Sequence, residues 1–144
     1  MALSDYEPAR AQVEFKGGSF FVRGLALDDV TALMKSFSSD LEGMIGIYAR
    51  GVNNDQTVAA MTQYAIALAK EAPGLVANVI ARASDEPDAV DNARRLSMAT
   101  QVQALKEIGR LTFEEAGGPK KFFESLNGLL TMVAPTATKT GSPI

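Results

Sequence analysis

Apolar and polar side chains alternate along the first part of the chain, on both sides of a pair of glycines. The segments 11–16 (AQVEFK) and 19–23 (SFFVR) are rich in β-branched and aromatic residues and flank Gly17-Gly18. Two-residue loops that contain glycine are typical of β-hairpins, because glycine adopts the positive φ angles that such turns require. The pattern therefore predicts an antiparallel hairpin over residues 11–23.

A turn at these two glycines decides which side chains lie opposite one another. Successive strand residues point to opposite faces, so each strand divides into an inner and an outer set. The predicted pairs are Phe15 with Phe20 and Val13 with Val22 on an apolar face, and Glu14 with Phe21, Gln12 with Arg23 and Lys16 with Ser19 on the other face. An isolated hairpin is only marginally stable in water. We therefore expect the apolar face to lie on helices or on strands of another chain.

After Gly24 the apolar residues recur with the period of an α-helix. Helices are predicted from residue 27 to residue 133, with breaks at 51–55 (GVNND), 84–87 (SDEP), Ser97 and Gly117-Gly118. Pro73 and Pro119 suit the first turns of helices, because proline lacks the N–H that a first turn leaves unpaired. The predicted fold class is mainly α, with an N-terminal β-hairpin followed by a compact bundle of about five to six helices.

The two ends of the chain differ from its middle. Residues 1–10 are polar and contain Pro8, which predicts a flexible N-terminal arm. Residues 134–144 (APTATKTGSPI) are rich in turn-forming residues and lack periodicity, which predicts a flexible C-terminal tail. Residues 11–133 have the length of one ordinary domain. They are predicted to form a single domain made of the hairpin 11–23 and a helical body 27–133.

The composition excludes most catalytic and metal-binding chemistry. The 144 residues include no Cys and no His, so thiol nucleophiles, disulfides, imidazole bases and Cys or His metal ligands are excluded. The sequence also offers no set of residues that combines a nucleophile, a base and an orienting group. We therefore expect no catalytic, metal-binding or cofactor-binding residues, and no enzymatic activity.

The charge balance argues against two classes of partner. The chain has 14 Lys and Arg against 17 Asp and Glu, a net charge of −3 and a pI of about 5.0, so a nucleic-acid partner is not expected. No window approaches the roughly 20 apolar residues of a membrane span. The acidic N-terminus also lacks the positive charge and apolar run of a signal peptide. We expect a cytoplasmic protein without membrane contact.

One stretch between predicted helices is rich in charged side chains. Its acids are Asp85, Glu86, Asp88 and Asp91, and the basic pair Arg94-Arg95 follows. The spacing of the carboxylates differs from that of an EF-hand calcium loop, whereas carboxylates are common at helix N-termini because the helix dipole stabilises them. The stretch is therefore interpreted as a helix end with a local network of ion pairs.

Adjacent aromatic residues point to a candidate interaction surface. Phe20 and Phe21 occupy opposite faces of a strand, whereas Phe122 and Phe123 diverge by about 100° on a helix. Either one ring of each pair covers an edge of the core, or Phe21 and one of the helical rings lie on an exposed apolar patch. Both interpretations stay open. The predicted partner-binding residues are Phe21, Phe122, Phe123, Leu126 and Leu130.

Two sequence blocks resemble a known family. The first, residues 13–34, reads VEFKGGSFFVRGLALDDVTALM and contains the pattern F-x-V-R-G-L-x-L-x-D. The second, residues 103–124, reads QALKEIGRLTFEEAGGPKKFFE. Together they resemble the tail assembly chaperones of long-tailed bacteriophages, also called pre-tape-measure proteins, which are encoded beside the tape-measure gene.

The resemblance implies a non-enzymatic protein of the infected host's cytoplasm. Such proteins bind the long, apolar, helical tape-measure protein before the tail tube forms around it, and keep it soluble. The expected function is that of a tail assembly chaperone whose partner is the phage tape-measure protein. A helical protein can cover the amphipathic helices of such a client with an apolar groove, and many weakly bound copies gain affinity through multivalency.

A second function fits the same sequence. The free edges of a hairpin permit strand addition or self-association. The chain would then be a structural virion subunit, a tail or connector component that assembles through its β-hairpin. A homo-oligomer is compatible with either function, and the number of copies in purified virions distinguishes the two.

Overall fold

The computed structural model describes residues 2–47 and 58–141 of the chain. A short 3-10 turn precedes a two-stranded antiparallel sheet, and six α-helices follow within the described residues. The elements are the turn Leu3–Asp5, β1 (Arg10–Phe15), β2 (Gly18–Arg23), α1 (Leu27–Ile47), α2 (Val58–Glu71), α3 (Pro73–Ala83), α4 (Val90–Arg95), α5 (Met98–Ala116) and α6 (Pro119–Gly141). The predicted fold class, a hairpin followed by about five to six helices, is confirmed.

The hairpin forms over the predicted residues, but its register differs from the predicted one. The observed pairs are Arg10 with Arg23, Ala11 with Val22, Gln12 with Phe21, Val13 with Phe20, Glu14 with Ser19, and Phe15 with Gly18. The turn consists of Lys16 and Gly17, and Gly18 already belongs to β2. The predicted pairs, which placed the turn at Gly17-Gly18, are therefore wrong by two positions in the partner strand.

The two glycines have different roles, which explains the observed register. Gly17 has a φ of +101°, a left-handed conformation that favours glycine. Gly18 makes room for an aromatic ring, because a Cβ atom built there would lie 3.1 Å from Cζ of Phe15. A shift of two residues keeps every side chain on its predicted face. Val13 and Val22 are accordingly both fully buried.

The hairpin is followed by a close backbone contact with α5. A Cβ atom on Gly24 would lie 2.9 Å from the amide nitrogen of Thr112, so the observed approach requires glycine. The amide of Leu25 donates a hydrogen bond to the Thr112 hydroxyl (2.9 Å), which in turn donates to the carbonyl of Ile108 (2.6 Å). The buried Thr112 side chain thus connects α5 to the segment that leaves the hairpin.

The residues predicted to begin, cap or end helices lie at helix ends in the structure. Pro73 and Pro119 begin α3 and α6. Ser97 caps α5, because its hydroxyl accepts a hydrogen bond from the amide of Thr100 at 3.1 Å. Gly117 ends α5 with a φ of +89°, as expected for a C-terminal glycine cap. The predicted break at 51–55 lies outside the described residues.

The C-terminal helix is longer than predicted. The periodicity ends at residue 133, where the flexible tail 134–144 is expected, whereas α6 continues to Gly141. Extending an existing helix adds one hydrogen bond for each residue ordered, without a new nucleation cost. The loss of an apolar stripe is therefore a poor sign of where a helix ends. The flexibility of this tail stays a prediction.

One apolar core contains residues of both strands and of each of the six described helices. Its largest fully buried side chains are Val13, Val22, Leu75, Val76, Ile80 and Leu126. α1 bends around this core at Phe37, whose backbone angles (φ −131°, ψ 34°) are not helical. Among the described helices, none alone is long and apolar enough to cross a membrane. The bent pair Thr62–Glu71 and Pro73–Ala83, at 116°, meets the length and composition criteria together.

Candidate functional site

An open groove of about 350 Å³ lies between the hairpin and the segment that contains α3 and α4. Its lining includes the buried Ala81 and Ala93, which are 2% and 5% exposed. On the hairpin side, the ring centroids of Phe15 and Phe20 are 5.9 Å apart. We call this surface the hairpin–α4 groove. Its described lining residues are Phe15, Phe20, Ile80, Ala81, Ser84, Glu86, Ala89, Asn92, Ala93 and Leu96.

The hairpin–α4 groove is mainly apolar and has few polar groups. The hydroxyl of Ser84 donates a hydrogen bond to the carbonyl of Ile80 at 2.7 Å, so its proton already has an acceptor. Among the described lining residues, Glu86 alone carries a charge, and it is exposed. Such a surface suits the burial of an apolar face from another molecule.

Phe21 lies on the opposite face of the hairpin from Phe20. It is 50% exposed, and the guanidinium carbon of Arg10 lies 5.2 Å from the centroid of its ring. Phe20 is half-buried against the core. The prediction that the two rings occupy opposite faces is confirmed, and Phe21 stays an accessible candidate contact.

The four predicted contact residues on α6 lie within the helical body. Phe123, Leu126 and Leu130 are 4%, 2% and 3% exposed, and Phe122 is half-buried. The exposed-patch interpretation therefore does not hold for Phe123, whose ring packs edge-on against Tyr64 with centroids 5.8 Å apart. A partner-binding role for these residues stays a prediction.

A partly open apolar pocket of about 70 Å³ brings three of these residues together. Phe122, Phe123 and Leu126 contribute to its lining, with apolar side chains from the neighbouring helices. Phe113 on α5 has its centroid 5.5 Å from that of Phe122 and 5.7 Å from that of Phe123. These contacts form because the short connection between α5 and α6 folds the second helix back on the first. The α6 aromatic face therefore points inward.

A cluster of charged residues connects the hairpin to α1 and α3. The carboxylate of Asp29, on a residue that is only 4% exposed, accepts hydrogen bonds from Arg23 at 2.7 Å and Arg82 at 3.3 Å. It also accepts one from the amide of Ala26 at 2.8 Å, at the start of α1. Arg23 pairs with the more exposed Asp85 at 2.9 Å. We call these four charged side chains the Asp29 cluster.

The contacts within the Asp29 cluster keep its buried groups ionised. Burial raises the pKa of Asp29, but the hydrogen bonds from Arg23, Ala26 and Arg82, with the positive charge of Arg23, outweigh burial and hold that pKa below its ordinary value. The hydrogen bond to Asp29 likewise raises the pKa of Arg23. A carboxylate this deeply buried is stable only when it is paired and hydrogen-bonded. The cluster therefore has a structural role.

Sequence reasoning alone does not single out Arg23 and Asp29, although both occur in the pattern F-x-V-R-G-L-x-L-x-D. The sequence feature that could have indicated this pair is a basic and an acidic residue near the two ends of a mostly apolar stretch. Buried charges occur in pairs, but opposite charges at this separation also occur in exposed segments. The partners from α3 and from the following turn, Arg82 and Asp85, follow only from the tertiary structure.

The acidic stretch after α3 is only partly a helix end. Asp91 lies in the first turn of α4, as predicted. Asp85 instead has a φ of +61° and pairs with Arg23. Within the described part of the chain, Arg94 and Arg95 form no ion pair, so the predicted network does not include them. The described residues also hold no group of three or more acidic side chains that could bind a metal ion.

The profile of one protein family matches nearly the whole chain. The sequence profile of the pre-tape measure protein family matches residues 1–143. The chain belongs to the pre-tape measure protein family. No curated protein and no solved structure matches it.

Membership of the pre-tape measure protein family indicates a role in phage tail assembly, and this family is not a known class of enzyme. The two blocks that carry the resemblance, 13–34 and 103–124, contact each other in the structure. Gly24 from the first lies against Thr112 from the second. The segments that resemble pre-tape-measure proteins thus form the junction between the hairpin and α5.

Proposed function

We propose that this protein is a phage tail assembly chaperone that binds the tape-measure protein in the host cytoplasm and keeps it soluble. Family membership supports the assembly role, and the hairpin–α4 groove is the observation that carries the binding role. An open groove with apolar walls suits a client segment that exposes apolar side chains. The proposed action is binding alone, without catalysis.

The size of the groove indicates how such a chaperone would act. A groove of about 350 Å³ covers only a short segment of a long client, so one contact is weak. Several copies that bind along one client hold it more strongly than any single contact, through multivalency. Weak individual contacts also allow the client to be released when the tail tube forms around it.

Co-expression tests this function directly. A tagged copy of the chain is produced together with the tape-measure protein from the same genome, and the soluble fraction is purified on the tag. We expect a soluble client that elutes with several copies of the tagged chain. The controls are the client expressed alone, which we expect to aggregate, and the client with an unrelated tagged helical protein. A client that is insoluble beside a soluble tagged chain contradicts the proposal.

The alternative function is a structural virion subunit that assembles through the hairpin. The favouring observation is that the described sheet has only two strands, so its outer edges are not paired with a further described strand. Mass spectrometry of purified virions distinguishes the two functions. Many copies per particle support the structural role, whereas absence from the virion supports the chaperone.

A further inference from the structure

The lining of the hairpin–α4 groove combines small residues with large apolar ones. Ala81, Ala89 and Ala93 have no side-chain atoms beyond Cβ; Ala81 and Ala93 are buried beneath the groove, and Ala89 is partly exposed, so a partner can approach the backbone closely at Ala89. On the hairpin side, the rings of Phe15 and Phe20 line the same groove. A volume of about 350 Å³ lies at the lower end of the range for binding pockets, roughly 300–1,000 Å³. The groove therefore has room for the side chains of one short segment of a partner.

The scarcity of hydrogen-bonding groups in the lining favours a helix over an extended strand. A helix satisfies its backbone N–H and C=O groups internally, whereas an extended segment leaves them for the groove to satisfy. The polar side chains of the described lining are those of Ser84, Glu86 and Asn92, three of ten residues, and the hydroxyl proton of Ser84 is already donated to the carbonyl of Ile80. A helix that presents apolar side chains at helical spacing therefore matches the groove.

The charge of the groove adds a second requirement. Glu86 is its single charged residue among those described, and its side chain is exposed. Asp88 and Asp91 follow in the adjoining turn and the first turn of α4, and both are exposed, whereas the exposed basic pair Arg94 and Arg95 lies at the other end of α4. A basic side chain of the partner can approach this end without being buried, whereas an acidic one would be repelled.

We propose that the hairpin–α4 groove binds an amphipathic helix of the client whose apolar stripe is flanked by Lys or Arg, with the basic residue beside Glu86. This inference rests on the proposed function, because the tape-measure protein supplies the helix. It adds the conformation of the bound segment and the sign of its flanking charge. In the tape-measure chain, segments with apolar residues at helical spacing and a neighbouring Lys or Arg are the expected binding sites.

Two designed peptides test the conformation and the charge. Both are helical, about four turns long, and carry the same leucine stripe; one has Lys flanking the stripe and the other Glu. With the full-length chain and a fluorescence anisotropy readout, we expect the Lys peptide to bind at least about tenfold more tightly. Glu86→Lys should reverse this preference. Equal binding of the two peptides, or an unchanged preference in Glu86→Lys, would overturn the charge assignment.

A groove-filling variant tests the location. Asn92 is exposed and lines the groove, so Asn92→Trp should fill it without disturbing the core. We expect binding of the Lys peptide to weaken at least about tenfold. The matched control is Gln103→Trp, an amide replaced at an exposed position on α5 that does not line the groove, and it should bind like the wild-type chain. Undiminished binding by Asn92→Trp would overturn the location.

Two further outcomes distinguish a failure of this inference from a failure of the proposed function. If the tape-measure protein does not co-purify with the wild-type chain, the proposed function fails, whatever the peptides do. If it co-purifies equally with wild type and Asn92→Trp, the function stands and the groove assignment is wrong. A wild-type chain that self-associates and becomes monomeric in Asn92→Trp identifies a second copy as the occupant, which also overturns the inference.

Discussion

At the scale of single residues, Asp29 shows how one carboxylate connects several parts of the chain. Its oxygens accept hydrogen bonds from β2, from the residue before α1 and from α3. All buried side-chain nitrogen and oxygen atoms in the described part of the chain have a partner. Removing this charge therefore leaves Arg23, with a side chain only 14% exposed, without its main counter-charge.

Asp29→Asn should lower the free energy of unfolding by about 3 kcal/mol, because it leaves the largely buried Arg23 with only the exposed Asp85 as counter-charge and removes the ion pair of Arg82. Chemical denaturation measures the change. The matched control is Asp28→Asn on the neighbouring, exposed residue, which removes only a favourable contact with the helix dipole, worth less than about 1 kcal/mol. Equal losses in the two variants would show that the buried pair contributes nothing beyond the dipole.

The pH dependence of stability provides an independent check on Asp29. Its pKa in the folded state is lower than its ordinary value of 3.8, so the folded protein binds the proton less readily than the unfolded chain. The contribution is therefore complete well above pH 3.8 and is lost as the pH falls through the lower folded-state pKa. Wild type should lose stability more steeply than Asp29→Asn on acidification. Parallel profiles would contradict the assigned pKa direction.

Phe123 and Phe21 make a second comparison between a buried and an exposed position. Phe123→Ala should destabilise by about 3–5 kcal/mol, since it removes a buried ring and leaves a cavity. Phe21→Ser should change stability by no more than about 0.5 kcal/mol, as for most exposed positions. Thermal unfolding of the two variants distinguishes the positions. A small effect of Phe123→Ala would restore the interpretation that its ring lies on a patch.

At the scale of the elements, the contact between Gly24 and α5 decides how closely the hairpin approaches the helices. A methyl group at Gly24 would lie 2.9 Å from the amide nitrogen of Thr112 and 3.1 Å from the carbonyl carbon of Leu111. Both are backbone atoms of a helix, which cannot rotate away as a side chain can. The approach is therefore incompatible with any side chain at this position.

Gly24→Ala should destabilise the protein by about 1–3 kcal/mol, because the added methyl group overpacks the junction. Gly43→Ala is the matched control: this glycine lies in α1, is exposed, and a Cβ atom there meets nothing within 4 Å. It should stabilise the protein by up to about 1 kcal/mol, since alanine is the better helix former. Changes of the same sign in the two variants would contradict the close approach.

At the scale of the whole molecule, the hairpin and the helices share one core, to which both strands and all six helices of the described residues contribute. A shared core makes separate unfolding of the hairpin unfavourable, because it would expose to water the apolar helix surface that the hairpin covers. The walls of the hairpin–α4 groove accordingly belong to different elements that contribute to the same core.

We therefore expect one cooperative unfolding transition. The helical circular dichroism signal and hydrogen exchange at the amides of β1 and β2 should report the same free energy of unfolding. Asp29→Asn should lower both values together, since the residue joins β2 to two helices. Exchange in the strands at a much lower free energy than helix unfolding would show that the hairpin opens independently.

Features that depend on local chemistry could be predicted from the sequence alone. Alternation around the two glycines predicts the hairpin, and Pro73, Ser97, Gly117 and Pro119 predict helix ends, because each acts on its own backbone. The faces of the strands were also predictable, since they depend only on the parity of the residue number. The mainly helical fold and the family resemblance follow from the same local patterns.

Features that depend on contacts between residues far apart in the sequence emerged only in the folded chain. The hairpin register depends on the ring of Phe15 lying over Gly18, and parity alone cannot select it. An apolar stripe on a helix is the same in sequence whether it faces the core or a partner, so only packing places Phe123 inside. The groove between the hairpin and α4, and the pairing of Asp29 with Arg82, bring together residues far apart in the chain. Local patterns carry no information about such separations.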